Sequence, residues 1–154
     1  MKKLLVITLL FASAIVYGQE KAKWYIDLDK AAAVSMQTGK PIVANFTGSD
    51  WCGWGKKLKR EVFDTKIFKD WADKNVVLLE LDYPKRTPQD EKIKKQNRAL
   101  QQSFKVRGYP TIHIFSVAVT DGQTQIAQHG QTSYVAGGPT PWIAKANSIL
   151  KNKK

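Results

Sequence analysis

Along the chain, short continuous apolar runs alternate with longer stretches in which apolar residues recur every three or four positions. The runs Ile42 to Phe46 and Val76 to Leu81 are apolar almost throughout, the pattern of strands buried on both faces of a parallel sheet. Trp24-Tyr25-Ile26 and Thr111 to Phe115 read as further strands, and Asp121-Gly122 is a tight hairpin signal that pairs the latter with Thr124 to Ala127. Between them lie helical stretches. Asp27 or Asp29 can cap a helix with Leu28, Ala32 and Ser35/Met36 on one face, stopped by Gly39-Lys40-Pro41. From Cys52 the chain is again helical, and Phe63, Ile67 and Trp71 predict one buried stripe on a helix ending near Asn75. Thr87 as N-cap, Pro88 in the first turn and Asp90 at the third position predict a helix with Ile93, Leu100 and Phe104 inward. Thr140 and Pro141 open a last helix carrying Trp142, Ala146 and Ile149. The order βαβαβαββα predicts an α/β fold, a mixed sheet with helices on both faces.

Composition and charge change this picture at the N-terminus. Lys2 and Lys3, the apolar run Leu4 to Val16 and the small-residue end at Gly18 have the layout of a secretory signal. The run is shorter than the roughly 20 apolar residues of a spanning helix. The expected organisation is a signal peptide over residues 1–18 and one domain over 19–154, exported to the periplasm or secreted, with no stable membrane insertion after cleavage. The formal charge of +12 falls to +10 on removal of residues 1–18. It is dispersed: Lys92, Lys94, Lys95 and Arg98 fall on one helix and Lys151, Lys153 and Lys154 at the end of the chain. Solvated faces account for these, and a nucleic-acid partner is not expected. The cluster Lys56, Lys57, Lys59 and Arg60 stands apart because it follows Cys52.

Cys52 is the only cysteine of 154 residues, which excludes an internal disulfide and a cysteine-built zinc or iron–sulfur site. His113, alternating on a strand, reads as a satisfied core imidazole, and His129 beside Gly130 as a turn residue, so no metal site is expected. Trp24, Trp71 and Trp142 read as core. Cys52 follows strand and turn, and therefore falls in the first turn of a helix, where free backbone N–H groups favour a thiolate. Lys56 and Lys57 are expected to tune the thiol the same way, and Asp50 to oppose them.

The segment Phe46-Thr47-Gly48-Ser49-Asp50-Trp51-Cys52-Gly53-Trp54-Gly55-Lys56-Lys57 resembles the active-site turn of thioredoxin-fold proteins, and Val106-Arg107-Gly108-Tyr109-Pro110-Thr111 resembles their cis-proline loop. The similarity is to exported bacterial thioredoxin-like proteins with a Trp-Cys-Gly-Trp-Cys-Lys motif. It implies a thioredoxin fold, Cys52 as nucleophilic thiol, and Trp51, Gly53, Trp54, Tyr109 and Pro110 as substrate-binding residues. A cis Pro110 would turn the Tyr109 backbone toward an extended substrate strand. It implies no cofactor. Two departures matter. Gly55 stands where the family has its resolving cysteine, and Asn45 where many members have a buried acid on the central strand. An amide cannot accept that acid's proton.

Three functions follow from this pattern. One is a monothiol protein forming mixed disulfides with cysteine-containing protein substrates or small thiols, helped by an upstream thiol reductant and unable to run a dithiol cycle. Another is a redox-inactive module that binds peptides or proteins in the same groove. The third is a Cys-to-Gly variant of a dithiol oxidoreductase. Of the two tryptophans beside Cys52, one is expected to pack inward and the other to form an apolar rim.

Overall fold

The computed structural model describes residues 22–151, so the signal reading at residues 1–18 and the basic end at Lys153 and Lys154 lie outside them. One five-stranded sheet carries the fold: β1 (Trp24–Tyr25), β2 (Ile42–Thr47), β3 (Val77–Asp82), β4 (Thr111–Thr120) and β5 (Gln123–Thr132), in the spatial order β1-β3-β2-β4-β5. β1, β3 and β2 run parallel, and β4 and β5 are antiparallel to their neighbours. Every residue of β2 is buried, as a strand between two helical layers must be. One layer holds α1 (Leu28–Thr38) and α4 (Glu91–Ser103). The other holds α2 (Gly53–Leu58), its π-helical continuation Lys59–Phe63, α3 (Lys66–Asn75) and α5 (Pro139–Lys151).

Two apolar cores follow from strand alternation. Val43, Leu78, Ile112 and Ile114 face α2, α3 and α5, where Phe63, Phe68 and Trp142 close the core edge to face. Ala44, Phe46, Leu79, Leu81 and Phe115 face α1 and α4 with Leu100 and Phe104. Burial of each such large side chain contributes roughly 1.5–3 kcal/mol.

Several predicted elements shift. The stripe Phe63, Ile67, Trp71 is not one helix face: the chain winds as a π segment to Phe63, breaks at Asp64, and restarts with Thr65 as N-cap. The new phase buries Phe68 and leaves Ile67 56% exposed. Likewise Met36 turns outward while Ala31, Ala32 and Ser35 pack inward. α4 starts later than predicted, with Asp90 rather than Thr87 as cap, because the Thr87 N–H and hydroxyl are both bound by Asp50. α5 begins at Pro139, ahead of the predicted Thr140 cap. β4 and β5 run well past Phe115 and outside 124–127, pairing Thr120 with Gln123 across Asp121-Gly122. Both turn residues have positive φ, which is the turn that matches strand twist. Their outer halves are solvent-facing, so backbone pairing rather than burial extends them.

Candidate functional site

Strand register brings three connections to one end of the sheet. Phe46 pairs with Thr111 and Thr47 with Asp82, so the turn leaving β2, the loop leaving β3 and the loop entering β4 converge. The first carries Cys52 and the last Tyr109 and Pro110, whose peptide bond is cis. Ser49 ties the first to β3 by donating its N–H and hydroxyl to the Asp82 carboxylate at 2.7 and 2.5 Å.

Cys52 is the N-cap of α2 rather than a residue of its first turn. Its Sγ accepts the Gly55 N–H at 3.3 Å and donates to the Tyr109 carbonyl at 3.5 Å. The residue is 6% exposed. The sulfur therefore caps a first-turn N–H of α2, one with no carbonyl partner within the helix, and meets the backbone of the cis-proline loop. Lys56 and Lys57 direct their ammonium groups elsewhere: Lys56 to the Asp50 carbonyl at 3.2 Å, Lys57 over the rings of Trp54 and Tyr134 at 5.1 and 5.0 Å.

Gly55 is buried against β2. A Cβ there would sit 2.5 Å from Thr47 Oγ1 and 3.5 Å from both Cys52 Cβ and Sγ. The Thr47 hydroxyl thus occupies the room that a side chain at 55 would need. Asn45, two residues earlier on the same face of β2, is 4% exposed, and its Oδ1 has no hydrogen-bond partner among the described residues. Its register partner on β3 is Glu80. Desolvation, with Asp82 and Asp64 nearby and Lys59 opposing them, raises the Glu80 carboxyl above its ordinary 4.5.

The two tryptophans differ in exposure, though neither joins an apolar core. Trp51 is half-buried, donates Nε1–H to the Tyr83 carbonyl at 2.8 Å and meets the Tyr109 ring edge to face at 5.7 Å. Trp54 is 57% exposed and leans on Tyr134 at 5.3 Å. Gly53 is exposed with open space around it, and Pro110 is buried. Tyr109 is held by Gln101 Nε2, which donates to its hydroxyl at 2.8 Å.

One contributor had no signal in the sequence, and another takes a different part from the one expected. Tyr134, just past β5, joins the Trp54 rim and donates to Glu61 at 2.5 Å. That bond lowers the Glu61 carboxyl and raises the Tyr134 phenol. Asp50 does not act on the thiol by a direct bond. Its carboxylate accepts the backbone N–H groups of Lys85, Arg86 and Thr87 at 3.0, 2.7 and 2.9 Å. These donors, Lys85 first, hold its pKa at about 2. The same contacts pin the loop after β3 beside the cysteine turn.

The histidines lie away from this site. His113 is 4% exposed between the Phe46 and Phe104 rings. It is buried but not fully satisfied, since Nε2 has no partner among the described residues, and desolvation holds its pKa below 6.5. His129 is on β5, not in a turn, with Nε2 2.7 Å from Ser116 Oγ. Trp142 is fully buried, and Trp24 and Trp71 pack on the same core. Among the described residues no group of three His, Cys, Asp or Glu could hold a metal ion, and no helix is long and apolar enough to cross a membrane.

Comparison with known proteins converges on this geometry. A family profile described as thioredoxin-like matches residues 23–116. The disulfide bond reductase DsbH of Chlamydia pneumoniae is 32% identical over 117 residues, 76% of this chain and 66% of the relative. The thioredoxin-related protein DsbJ of the same organism is 33% identical over 93 residues, 60% of this chain and 27% of its own length. The chain thus spans just under two thirds of one curated relative and about a quarter of the other. Among solved structures, a DsbH oxidoreductase superposes with a TM-score of 0.73 at 28% identity, covering 98% of this chain and 95% of that one. A thioredoxin from Thermus thermophilus shares the fold at a TM-score of 0.60 and 14% identity, over 84% and 88% of the two chains.

Proposed function

The chain belongs to the thioredoxin-like family and has the thioredoxin fold, and from that premise we propose that it is an exported monothiol protein that forms mixed disulfides through Cys52. The observation that carries this reading is the seat of the sulfur, bonded to the Gly55 N–H and to the Tyr109 carbonyl beside Pro110. A thiol held there meets the sulfur of a disulfide laid along residues 108 and 109. The Cys52 thiolate attacks one sulfur of the disulfide, the Sγ–S bond forms as the S–S bond breaks, and the departing thiolate takes a proton from solvent. With Gly55 in the second position, an external thiol must release the product. Exchange and isomerisation therefore fit the site, and reduction fits it only with an upstream thiol reductant. Trp51 and Tyr109 form the inner wall of the substrate site, and Gly53 and Trp54 its open side. Lys57 braces the Trp54 and Tyr134 rings at that open side. The relatives DsbH and DsbJ, named for disulfide reduction and for kinship to thioredoxin, support substrates of the thiol and disulfide class, and the pattern of residues 1–18 supports export.

The test is to incubate the protein with a disulfide-bonded peptide and score the mass of a Cys52 adduct, beside insulin reduction with and without dithiothreitol. The proposal expects an adduct and turnover only with dithiothreitol. No adduct at any pH from 6 to 9 would overturn it.

The low exposure of Cys52, 6%, beside the open Trp54 favours a second reading, a peptide-binding module that does not use the thiol. It expects Cys52→Ser to keep full partner affinity. Binding lost in that variant would count against it.

A further inference from the structure

Next to the cysteine turn lies an open groove of about 640 Å³, between the loop after β3 and α4. Its size falls in the range of small-molecule sites, and its charge is one-sided. Lys85, Arg86, Lys94 and Arg98 line it, against the single carboxylate of Glu91. Lys94 pairs with Glu91 at 3.2 Å. Among the described residues, the guanidinium groups of Arg86 and Arg98 make no ion pair. Two of the cations are those that the sequence placed on a solvated helix face, and the loop supplies the other two. Of the acids at this loop, Asp50 turns its carboxylate to the backbone N–H groups of Lys85, Arg86 and Thr87, Asp82 accepts from Ser49, and Asp90 caps α4.

Two residues of the groove, Gln101 and Tyr83, touch the residues around the sulfur. Gln101 donates to the hydroxyl of Tyr109, whose carbonyl meets Cys52 Sγ. The Tyr83 ring lies 5.0 Å from the Tyr109 ring, and the Tyr83 carbonyl holds the Trp51 indole. The Lys85 ammonium sits 4.0 Å above the Trp51 ring. Tyr109 thus links the two: its carbonyl meets the sulfur and its hydroxyl meets Gln101 of the groove.

We propose that this groove binds the carboxylates of a small acidic thiol or its disulfide, of tripeptide size, and presents its sulfur to Cys52. Arg86 and Arg98 supply planar bidentate donors for the carboxylates, and Trp51 covers the stem. The proposal rests on the exchange reading above, and it names the external thiol that a single-cysteine site requires. One sulfur of an acidic disulfide bonds to Cys52 Sγ as its own S–S bond breaks, and the other half leaves as a thiolate that takes a proton from solvent. Where Cys52 already holds a substrate, the acidic thiolate bonds to Sγ as the Sγ–substrate bond breaks and the substrate leaves as a thiol; a second acidic thiol then attacks the bound one, leaving the acidic disulfide and free Cys52.

The test has two arms on the full chain, with glutathione derivatives as probes. S-methylglutathione cannot exchange. Titrated into the protein, it is expected to shift the amides of residues 85–101 and the Trp51 indole saturably, and to bind about tenfold more weakly to Arg86→Gln/Arg98→Gln. Absence of saturable shifts in this region, or equal affinity for the variant, overturns the groove. The second arm measures adduct formation at Cys52 by mass with glutathione disulfide and with neutral hydroxyethyl disulfide. The ratio of the two rates is expected to fall about tenfold in the double variant and in high salt, and to stay unchanged in Lys66→Gln, a charge on α3. A ratio indifferent to the double variant overturns the proposal. An inert Cys52 that still binds S-methylglutathione at the groove overturns the exchange reading alone.

Discussion

Restoring a cysteine at position 55 tests whether the second site has been repacked or merely emptied. A Cβ at 55 would lie 2.5 Å from Thr47 Oγ1, well inside contact distance. Thr47 is buried and β-branched on a fully buried strand, so rotation about its χ1 is restricted. Overpacking of this kind costs about 1–3 kcal/mol. Replacing a helical glycine by cysteine recovers only about 0.3 kcal/mol, which leaves Gly55→Cys destabilised by about 1–2 kcal/mol. Thr47→Ala alone costs about 1 kcal/mol in lost strand propensity and packing, and in the double variant it removes the clashing oxygen. The pair is then expected to be less destabilised than the sum of the singles by about 1–2 kcal/mol, within the range of contacting residues. Urea unfolding in excess reductant measures this cycle.

The second half of the experiment is redox. The same Cβ would lie 3.5 Å from Cys52 Cβ, at the near edge of the window for a disulfide. Oxidation of the double variant should remove two hydrogens by mass and confer insulin reduction through an internal dithiol cycle. Additivity of the two substitutions within about 0.5 kcal/mol, or a single Gly55→Cys as stable as the parent, would refute the steric argument. It would favour a chain that lost its second cysteine by one exchange and kept the room for it.

Asp50→Ala should leave the cysteine turn folded but release the loop after β3, raising amide exchange at residues 85–87; unchanged protection there would show that the carboxylate does not hold them. Because the Asp50 pKa is lowered from 3.8 to about 2, its contribution is complete above 3.8 and lost as the pH falls through about 2, so the same amides in the parent should loosen in that window. His113 is neutral in the fold, with its pKa pushed below 6.5 by desolvation. Stability is therefore full above 6.5 and falls with pH below it, and His113→Leu should flatten the urea midpoint between pH 7 and 5; an unchanged slope contradicts the assignment. Glu80 has the opposite sign. Its folded pKa is raised above 4.5, so its protonated form supports the fold at low pH and that support is lost as the pH rises through the raised value. Glu80→Gln should thus raise the urea midpoint at pH 7 by more than at pH 4, and an equal effect at both would show that Glu80 is not desolvated.

What was legible in the sequence is what is encoded over a few residues. The continuous runs of β2 and β3 announce strands covered on both faces, Asp121-Gly122 announces its turn, and the segments around Cys52 and Pro110 carry their own motifs. Where reading failed, the cause was a partner distant in the chain or a change of helix phase. The predicted cap at Thr87 fails because Asp50, 37 positions away, takes its N–H. The stripe through Ile67 fails because the π segment changes the helix phase before α3 begins. Tyr134 reaches Trp54 only through the pairing of β4 with β5, which no local pattern announces.

The same distinction decides how Lys94 and Arg98 are understood. On the helix alone they are an i,i+4 pair on a polar face, and solvation explains them fully. Register changes that reading, because Thr47 opposite Asp82 sends the loop after β3 back over the cysteine turn, with its own Lys85 and Arg86. Four cations, two from that loop and two from the helix that follows it, then line one groove, whose Gln101 meets the Tyr109 hydroxyl while the Tyr109 carbonyl meets the sulfur. A helix face that solvation alone would explain thus becomes one wall of the groove proposed for the external thiol.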